Sequence, residues 1–543
     1  MRERIRVFAA IFRDPNLLRI ELAFAGFNMA EYATWIAILV YAYERGGATA
    51  AGVVALIQLI PAGLIAPFAS YSADRFRKER VLLVDYLVQA AAMAGTAAAL
   101  FLEAPVVVVY ATATLAAVSL TFTRPAQASL LPEITNSPED LTAANVASGM
   151  IESVGIFVGP FIAGIILRVS EPAMVFAVMS GIALVGALAI RGLRLDPAAA
   201  PPREGFGVRM VLRETLAGFR VLRTERDPRL LIGVTSAQLV VVGALDVLFV
   251  AAAIDLLGLG QGGAGFLNSA YGVGGILGAA SAVMLVGRRR LTPPLAGGAA
   301  VCGVPLMVTG ALPSALTAPF LIAVGGSGRS LSDVSARTLL QRIAPDEVLA
   351  RVFGVLEGMG MLALAAGSIG ASAVVAAFGI KTALVVTGAF MPAVVFLALR
   401  RLLAIDAAAR APDPIALEFL RRIPIFAPLP APSIERIAAN LIAVSADAGD
   451  VIIRQGDAGD RFYVVVEGEA EVRTDGRFTA TLGSGSYFGE IALLKDVPRT
   501  ATVAARSAMR LLALERAPFL EAVTGHPRSI EAADEVVRAR TTH

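Results

Sequence analysis

The sequence is short of charge, of cysteine and of histidine, and each shortage closes off a class of protein. Only 17% of its 543 residues are Asp, Glu, Lys or Arg, against 56% hydrophobic, and the mean hydropathy is +0.71. A soluble chain of this length needs more charge to cover its surface, so a membrane protein is expected. The single cysteine, Cys302, excludes an internal disulfide, and its apolar neighbours mark it as an inert packing thiol. The two histidines, His526 and His543, stand near the end of the sequence, so no His/Cys metal cluster and no membrane-embedded Ser–His pair can be assembled. No enzymatic activity, metal or prosthetic group is therefore expected. No GxxxxGK[ST] loop occurs, which excludes nucleotide hydrolysis of that type. The formal charge of +3 is nearly balanced, and no nucleic-acid partner is expected.

What is present is a series of long apolar runs. Residues 172–190, 104–123, 291–328 and 358–380 contain no Asp, Glu, Lys or Arg and are long enough for helices of about 20 apolar residues, the length that crosses a bilayer. Twelve spans are expected, near 17–43, 48–72, 81–102, 104–127, 143–169, 172–191, 230–255, 262–286, 293–313, 315–335, 351–378 and 381–403. Alternate loops carry most of the Lys and Arg: Arg75, Arg77, Lys78 and Arg80, then Arg288, Arg289 and Arg290, then Arg337, Arg342 and Arg351. By the positive-inside rule these loops and both termini are cytoplasmic, in a bacterial inner membrane. The basic opening stretch, without a signal-peptide core and cleavage site, is expected to be a cytoplasmic lead-in helix.

The expected domains are two six-helix halves, 1–191 and 230–405, around a polar cytoplasmic loop, 192–229, with an amphipathic helix. A linker, 406–423, leads to a soluble domain at 424–526 and a C-terminal helix and tail at 527–543. The two halves repeat: Arg124, Gly149, Glu152 and Gly155 recur as Arg329, Gly354, Glu357 and Gly360, each 205 positions later. Matched arginine and glutamate inside apolar runs point to an internal duplication.

Six plus six helices about a long central loop resemble the major facilitator superfamily. The stretch "SYSADRFRKER" at 70–80 is similar to that family's loop signature, with Asp74 and Arg75 in place but Ser70 and Arg77 where glycines are usual. The resemblance implies that Asp74 helps latch the two halves. "GIFVGPFIAG" at 155–164 resembles the family's exporter and antiporter motif, with Ala163 replacing a glycine. Physically, Gly155 and Gly159 offer a small-residue face for close helix contact, and Pro160 bends the helix. Charges within spans are costly unless paired or wetted, so Glu31, Asp246, Glu152 and Glu357 are candidates for proton coupling. Glu152 and Glu357 are equally read as gate partners of Arg124 and Arg329.

Beyond residue 403 the composition changes to short alternating strands separated by Gly449, Gly456, Gly459, Gly468 and the Asp475–Gly476 turn. A small antiparallel β-barrel of jelly-roll type with flanking helices is expected. The segments "AGDVIIRQGDAGDRFYVVVEGEAEV" (448–472) and "FGEIALLKDVPRTATV" (488–503) resemble a cyclic-nucleotide-binding domain and its phosphate-binding cassette. The resemblance implies contacts from Phe488, Gly489, Glu490, Ile491, Ala492, Arg499, Thr500 and Ala501. Glu490 would accept a ribose 2′-hydroxyl, and the Arg499 fork would hold the cyclic phosphate, a charge-assisted contact of about 1.5–3 kcal/mol. Arg538 or Arg540 would form a lid. The ligand this implies is cyclic AMP, with cyclic GMP as the alternative that Thr500 keeps open.

The whole reads as a multi-domain protein: an all-α polytopic membrane unit joined to a β-barrel sensor. The expected function is secondary transport, as proton-coupled efflux of a small and lipophilic molecule, set by cyclic nucleotide. Its partners are the lipid bilayer, protons, the transport substrate and the nucleotide. The alternative is a membrane-anchored cyclic-nucleotide receptor on a non-transporting helical scaffold.

Overall fold

The computed structural model describes residues 14–134, 138–193, 226–281, 285, 290–343, 346–408, 414–429, 431–524 and 527–541. The expected lead-in helix and most of the central loop lie outside the described residues. So do the side chains of Asp74, Arg75 and Glu357. The described chain falls into two compact units. One comprises residues up to Met284 and Leu291–Ile405; the other comprises Asp406 onward with Leu285–Arg290.

The first unit is entirely helical among the described residues: α1 (Pro15–Arg75), α2 (Lys78–Phe101), α3 (Val106–Ile134), α4 (Pro138–Val169), α5 (Pro172–Arg191), α6 (Arg226–Ala251), α7 (Gly260–Ser281), α8 (Thr292–Ala311), α9 (Ala318–Ile343) and α10 (Asp346–Ala408). Two of these are double length. α1 folds back at Gly46 and Gly47, and α10 at Gly379, where φ values of +62° at Gly47 and +80° at Gly379 favour a residue without Cβ.

By length and apolarity, eight stretches among the described residues qualify as membrane-crossing, the two folded ones included. The count of twelve is therefore not reproduced as such. α7 and α9 occupy expected spans but fall outside the qualifying stretches. α7 is rich in glycine, and α9 carries Arg329, Asp333, Arg337 and Arg342. Span 7 also starts earlier than expected, at Arg226, and ends in a π-helical turn, Ala252–Leu256.

Small residues set the helix packing. A Cβ on Gly265 of α7 would meet the Pro160 carbonyl oxygen of α4 at 2.4 Å, and one on Gly262 the Gly164 oxygen at 2.5 Å. Ser269 donates to the Phe157 carbonyl across the same contact at 2.9 Å. On the second arm of α1, Ser372 of α10 donates to the Ala48 carbonyl at 2.8 Å. Backbones this close leave no room for side chains, which is how helices associate where lipid offers no hydrophobic drive.

The second unit holds α11 (Pro414–Arg422), α12 (Ala431–Asn440), strands β1–β8, α13 (Glu490–Lys495), α14 (Arg516–Thr524) and α15 (Pro527–Thr541). Its strands form two four-stranded antiparallel sheets, in the orders β1-β8-β3-β6 and β2-β7-β4-β5. Here β1 is Ile442–Ala446, β2 Val451–Ile453, β3 Arg461–Glu467, β4 Ala470–Thr474, β5 Arg477–Leu482, β6 Tyr487–Phe488, β7 Thr502–Ala505 and β8 Met509–Glu515. Alternation along β3 divides the core in two. Phe462, Val464 and Val466 join a helix-side cluster with Phe426 and Phe519, while Tyr463 and Val465 join Phe488 and Leu511 on the other face. The β4–β5 hairpin turns at Asp475 and Gly476, both at positive φ, as the sequence predicts.

One boundary differs from the sequence reading. Residues 414–423, taken as linker, include α11, whose Ala416, Leu417 and Leu420 are buried in the helix-side cluster. The Pro/Ala composition around them hides a three-residue apolar face that needs the domain to cover it.

Candidate functional site

In the second unit the cassette is a strand–turn–helix. β6 ends at Phe488, whose ring stacks on Tyr463 at 5.2 Å between centroids. Gly489 follows in the left-handed region, φ +91°, and caps the six-residue α13. A Cβ there would stand 2.8 Å from Arg499 Nη1 and 2.9 Å from the Arg461 carbonyl oxygen, so glycine is required for the arginine to approach. Glu490, Ile491 and Ala492 form the first turn of α13.

Arg499 is 4% exposed and clamped at both ends. Its backbone N–H donates to the Asp457 carbonyl at 2.8 Å, and its own carbonyl accepts from Gly456 at 2.9 Å. Its guanidinium donates to the Gly489 carbonyl (2.9 Å), the Arg461 carbonyl (2.7 Å) and Asp460 Oδ1 (2.8 Å). The barrel thus presents a fixed guanidinium beside the start of α13. Thr500 is exposed and Ala501 half-buried on the same segment.

Glu490 is 1% exposed, and burial pushes its carboxyl up from the ordinary carboxylate range, with Arg540 opposing the shift. Arg540 Nη1 donates to Glu490 Oε1 at 2.8 Å and to the Tyr487 carbonyl at 3.0 Å, and its guanidinium lies 4.4 Å from the Tyr487 ring centre. Glu490 Oε2 is buried and accepts no hydrogen bond among the described residues. An orphaned, buried acceptor beside a fixed guanidinium fits a sugar hydroxyl next to a phosphate. Of the two lid candidates, Arg540 reaches the cassette, whereas the Arg538 Nε donates to Asp534 within its own helix. Sequence reasoning missed Asp460 and Arg461, at the start of β3, and Tyr487, next to Phe488 on β6, none of which carries a local signature.

Arg540→Ala removes the charge that opposes the Glu490 shift. Glu490 should then stay protonated to a higher pH, so nucleotide affinity should keep rising with pH over a range where the parent is already flat. Affinity titrations at several pH values on both proteins read this; identical profiles would refute it.

Inside the helical unit, α1, α3 and α4 bring three sequence candidates together. Arg124 donates to both Glu31 oxygens, at 2.8 and 2.7 Å, and lies 3.3 Å from Glu152. The Arg124–Glu152 pair is present, but Glu31 holds the closer and two-pronged contact. Asp246 stands apart, with the Trp35 indole within hydrogen-bonding reach. Gly155 and Gly159 serve this cluster by packing. A Cβ on Gly155 would meet Asn28 Cβ at 2.5 Å, and one on Gly159 the Met29 carbonyl at 2.8 Å and Tyr32 Cβ at 2.9 Å. Gly159→Leu is expected to part α4 from α1, at about 1–3 kcal/mol of stability for overpacking. An unchanged thermal midpoint of the purified protein would contradict that.

Two buried acids were missed. Glu21, 3% exposed, accepts from Ser148 at 2.7 Å; Asp85, 6% exposed, accepts from Thr123 at 2.6 Å and Gln89 at 3.0 Å. Each keeps one oxygen without a partner among the described residues. Their signal was visible, as lone acids in "LLRIELAF" and "LLVDYLV", but neither has a repeat mate to single it out.

Comparison with known proteins fits this geometry. Residues 20–368 match the Major Facilitator Superfamily, and the chain belongs to that family. Residues 443–526 match the cyclic nucleotide-binding domain, so the membrane unit is fused to a C-terminal domain of that kind. Within the tail, the chain is 41% identical over 103 residues to a cAMP-dependent protein kinase regulatory subunit of Yarrowia lipolytica, covering 19% of this chain and 28% of that protein. It is 36% identical over 123 residues to a putative potassium channel protein of Rhodopseudomonas palustris, covering 22% and 30%. A solved structure of the regulatory domain of Toxoplasma gondii PKA with cAMP is 28% identical, with a TM-score of 0.23, over 26% of this chain and 54% of that one. The chain spans less than a third of the length of the curated relatives it matches.

Proposed function

We propose that the protein is a secondary transporter whose activity is set by cyclic AMP bound at 443–526. The observation that carries this reading is the filled cassette, Glu490 and Arg499 on a preformed network, in one chain with a transporter-family membrane unit. Cyclic AMP is preferred because the matched kinase subunits are named for it; Thr500 leaves cyclic GMP as the alternative. The Lys and Arg distribution supports cytoplasmic termini in the bacterial inner membrane, which puts the cassette on the side where cyclic nucleotides are made.

Coupling to protons and outward transport are part of the proposal. Glu31 is engaged by Arg124, so Glu21, Asp85 and Asp246, which no ion pair reaches among the described residues, are the better carriers. They can exchange a proton without breaking a salt bridge. For the nucleotide to regulate, it must bind one transport state better than another.

The test is transport by the full chain in proteoliposomes under an imposed pH gradient, with and without cyclic AMP or cyclic GMP. A nucleotide-dependent rate that Arg499→Lys abolishes supports the reading. Transport insensitive to nucleotide, despite measured binding, removes regulation. Nucleotide binding with no transport of any tested compound favours the receptor alternative.

A further inference from the structure

The internal repeat is broken at one informative position. In the first half, Arg124 is neutralised by Glu31. Its counterpart in the second half is Arg329, and the residue 205 positions after Glu31 is Ser236. The arginine is kept, the carboxylate of its closer partner is replaced by a hydroxyl, and Glu152 is kept as Glu357, whose side chain lies outside the described residues. Ser236 Oγ is buried and unpartnered, as are Gln238 Oε1 and Arg329 Nε itself, and Tyr271 Oη is buried beside the Cys302 thiol. Gln238 is fixed against α9 by donating to the Arg329 carbonyl at 2.9 Å, and Tyr271 and Tyr32 lie within electrostatic range of the guanidinium.

No carboxylate among the described residues pairs with Arg329. Asp333, one turn along the same helix, lies within electrostatic range of Arg329 but accepts from Arg337 at 3.1 Å. Asp246 lies within electrostatic range of Arg329. A guanidinium within an apolar helix bundle is costly unless it is paired or reached by water. The second half therefore holds a cation and unpartnered polar atoms where the first half holds an internal salt bridge.

We infer that Arg329, with Tyr271 and Gln238 beside it, binds an acidic group on the transported substrate. The inference rests on the transporter reading and adds the substrate class to it. The planar fork of arginine matches carboxylate and phosphate oxygens, while Tyr271 Oη supplies a further donor. Among the described residues, the first half has two carboxylates on one arginine and so repels an anion, whereas none pairs with Arg329; Glu357, the repeat mate of Glu152, has its side chain outside the described residues.

The sequence has one tryptophan, Trp35, beside Asp246, so intrinsic fluorescence reads this region without ambiguity. Full-length protein in phosphatidylcholine nanodiscs would be titrated with octanoate, octyl phosphate, octanol and octyltrimethylammonium. One or both acids should give a saturable change in Trp35 emission, about tenfold tighter than the neutral and cationic probes. Separate curves for the two acids tell carboxylate from phosphate. Arg329→Gln should weaken the acid about tenfold. Tyr271→Phe, which deletes a hydroxyl whose neighbour is the weakly bonding Cys302 thiol and so carries little folding risk, should weaken it a few-fold. Equal binding of all probes, no saturable signal, or parental acid affinity in Tyr271→Phe and in any folded Arg329→Gln overturns the assignment. Acid binding without transport in proteoliposomes would sink the transporter reading and leave this site standing.

Discussion

Arg499→Lys should weaken cyclic AMP binding by about ten- to a hundredfold, the range set by about 1.5–3 kcal/mol for a charge-assisted contact. The reason is geometric. The guanidinium already spans the Gly489 carbonyl, the Arg461 carbonyl and Asp460, and that scaffold aims it. A lysine ammonium keeps the charge but cannot bridge those anchors and grip a phosphate at once. Arg499→Ala is a poorer test of binding, because it also strips donors from two buried carbonyls, at about 1–3 kcal/mol for each one left unsatisfied. Calorimetric titration of the full chain, paired with thermal melting, separates the effects. The lysine variant should melt near the parent temperature and lose affinity, whereas alanine should lose both. A lysine variant that binds like the parent would remove Arg499 from the phosphate site.

The cassette was legible because its parts are contiguous. Gly489, Glu490 and Arg499 sit within one short stretch, and the positive φ at Gly489 follows from the residue type. The barrel was legible for a similar reason, since alternation along β3 and β8 is a local property that sorts residues to two core faces. What local pattern cannot report is partnership across distance. Arg124 meets Glu31 from 93 positions away, and Arg540 reaches Glu490 from 50. Charge type alone suggested Glu152 as the partner and left Glu31 free. The 414–423 stretch failed differently: a nine-residue helix with one apolar face reads as linker until a domain surface covers it. The repeat placed Arg329 as a copy of Arg124, and only the unpartnered atoms around it reveal that the copies have diverged.

That divergence makes Arg124 the residue whose loss should disturb the membrane unit most. Arg124→Gln leaves Glu31 and Glu152 facing each other with no cation, and it also removes the guanidinium 5.1 Å from the Phe27 ring centre. Orphaning a fully buried charge costs about 3–5 kcal/mol; with the Arg124 side chain 36% exposed and Glu31 27%, about half of that is expected. Glu31→Gln should cost less, because Arg124 keeps Glu152. The double variant Arg124→Gln with Glu31→Gln removes both the cation and one of the repelling carboxylates, so it should melt above Arg124→Gln alone, and the coupling energy of the cycle should be favourable. Transport should be lost in Arg124→Gln and not regained in the double variant if the pair also positions α1 against α3 for turnover. Full recovery of transport would reduce the cluster to a packing device. An Arg124→Gln protein that melts with the parent would mean that water, not Glu31, carries the charge in solution.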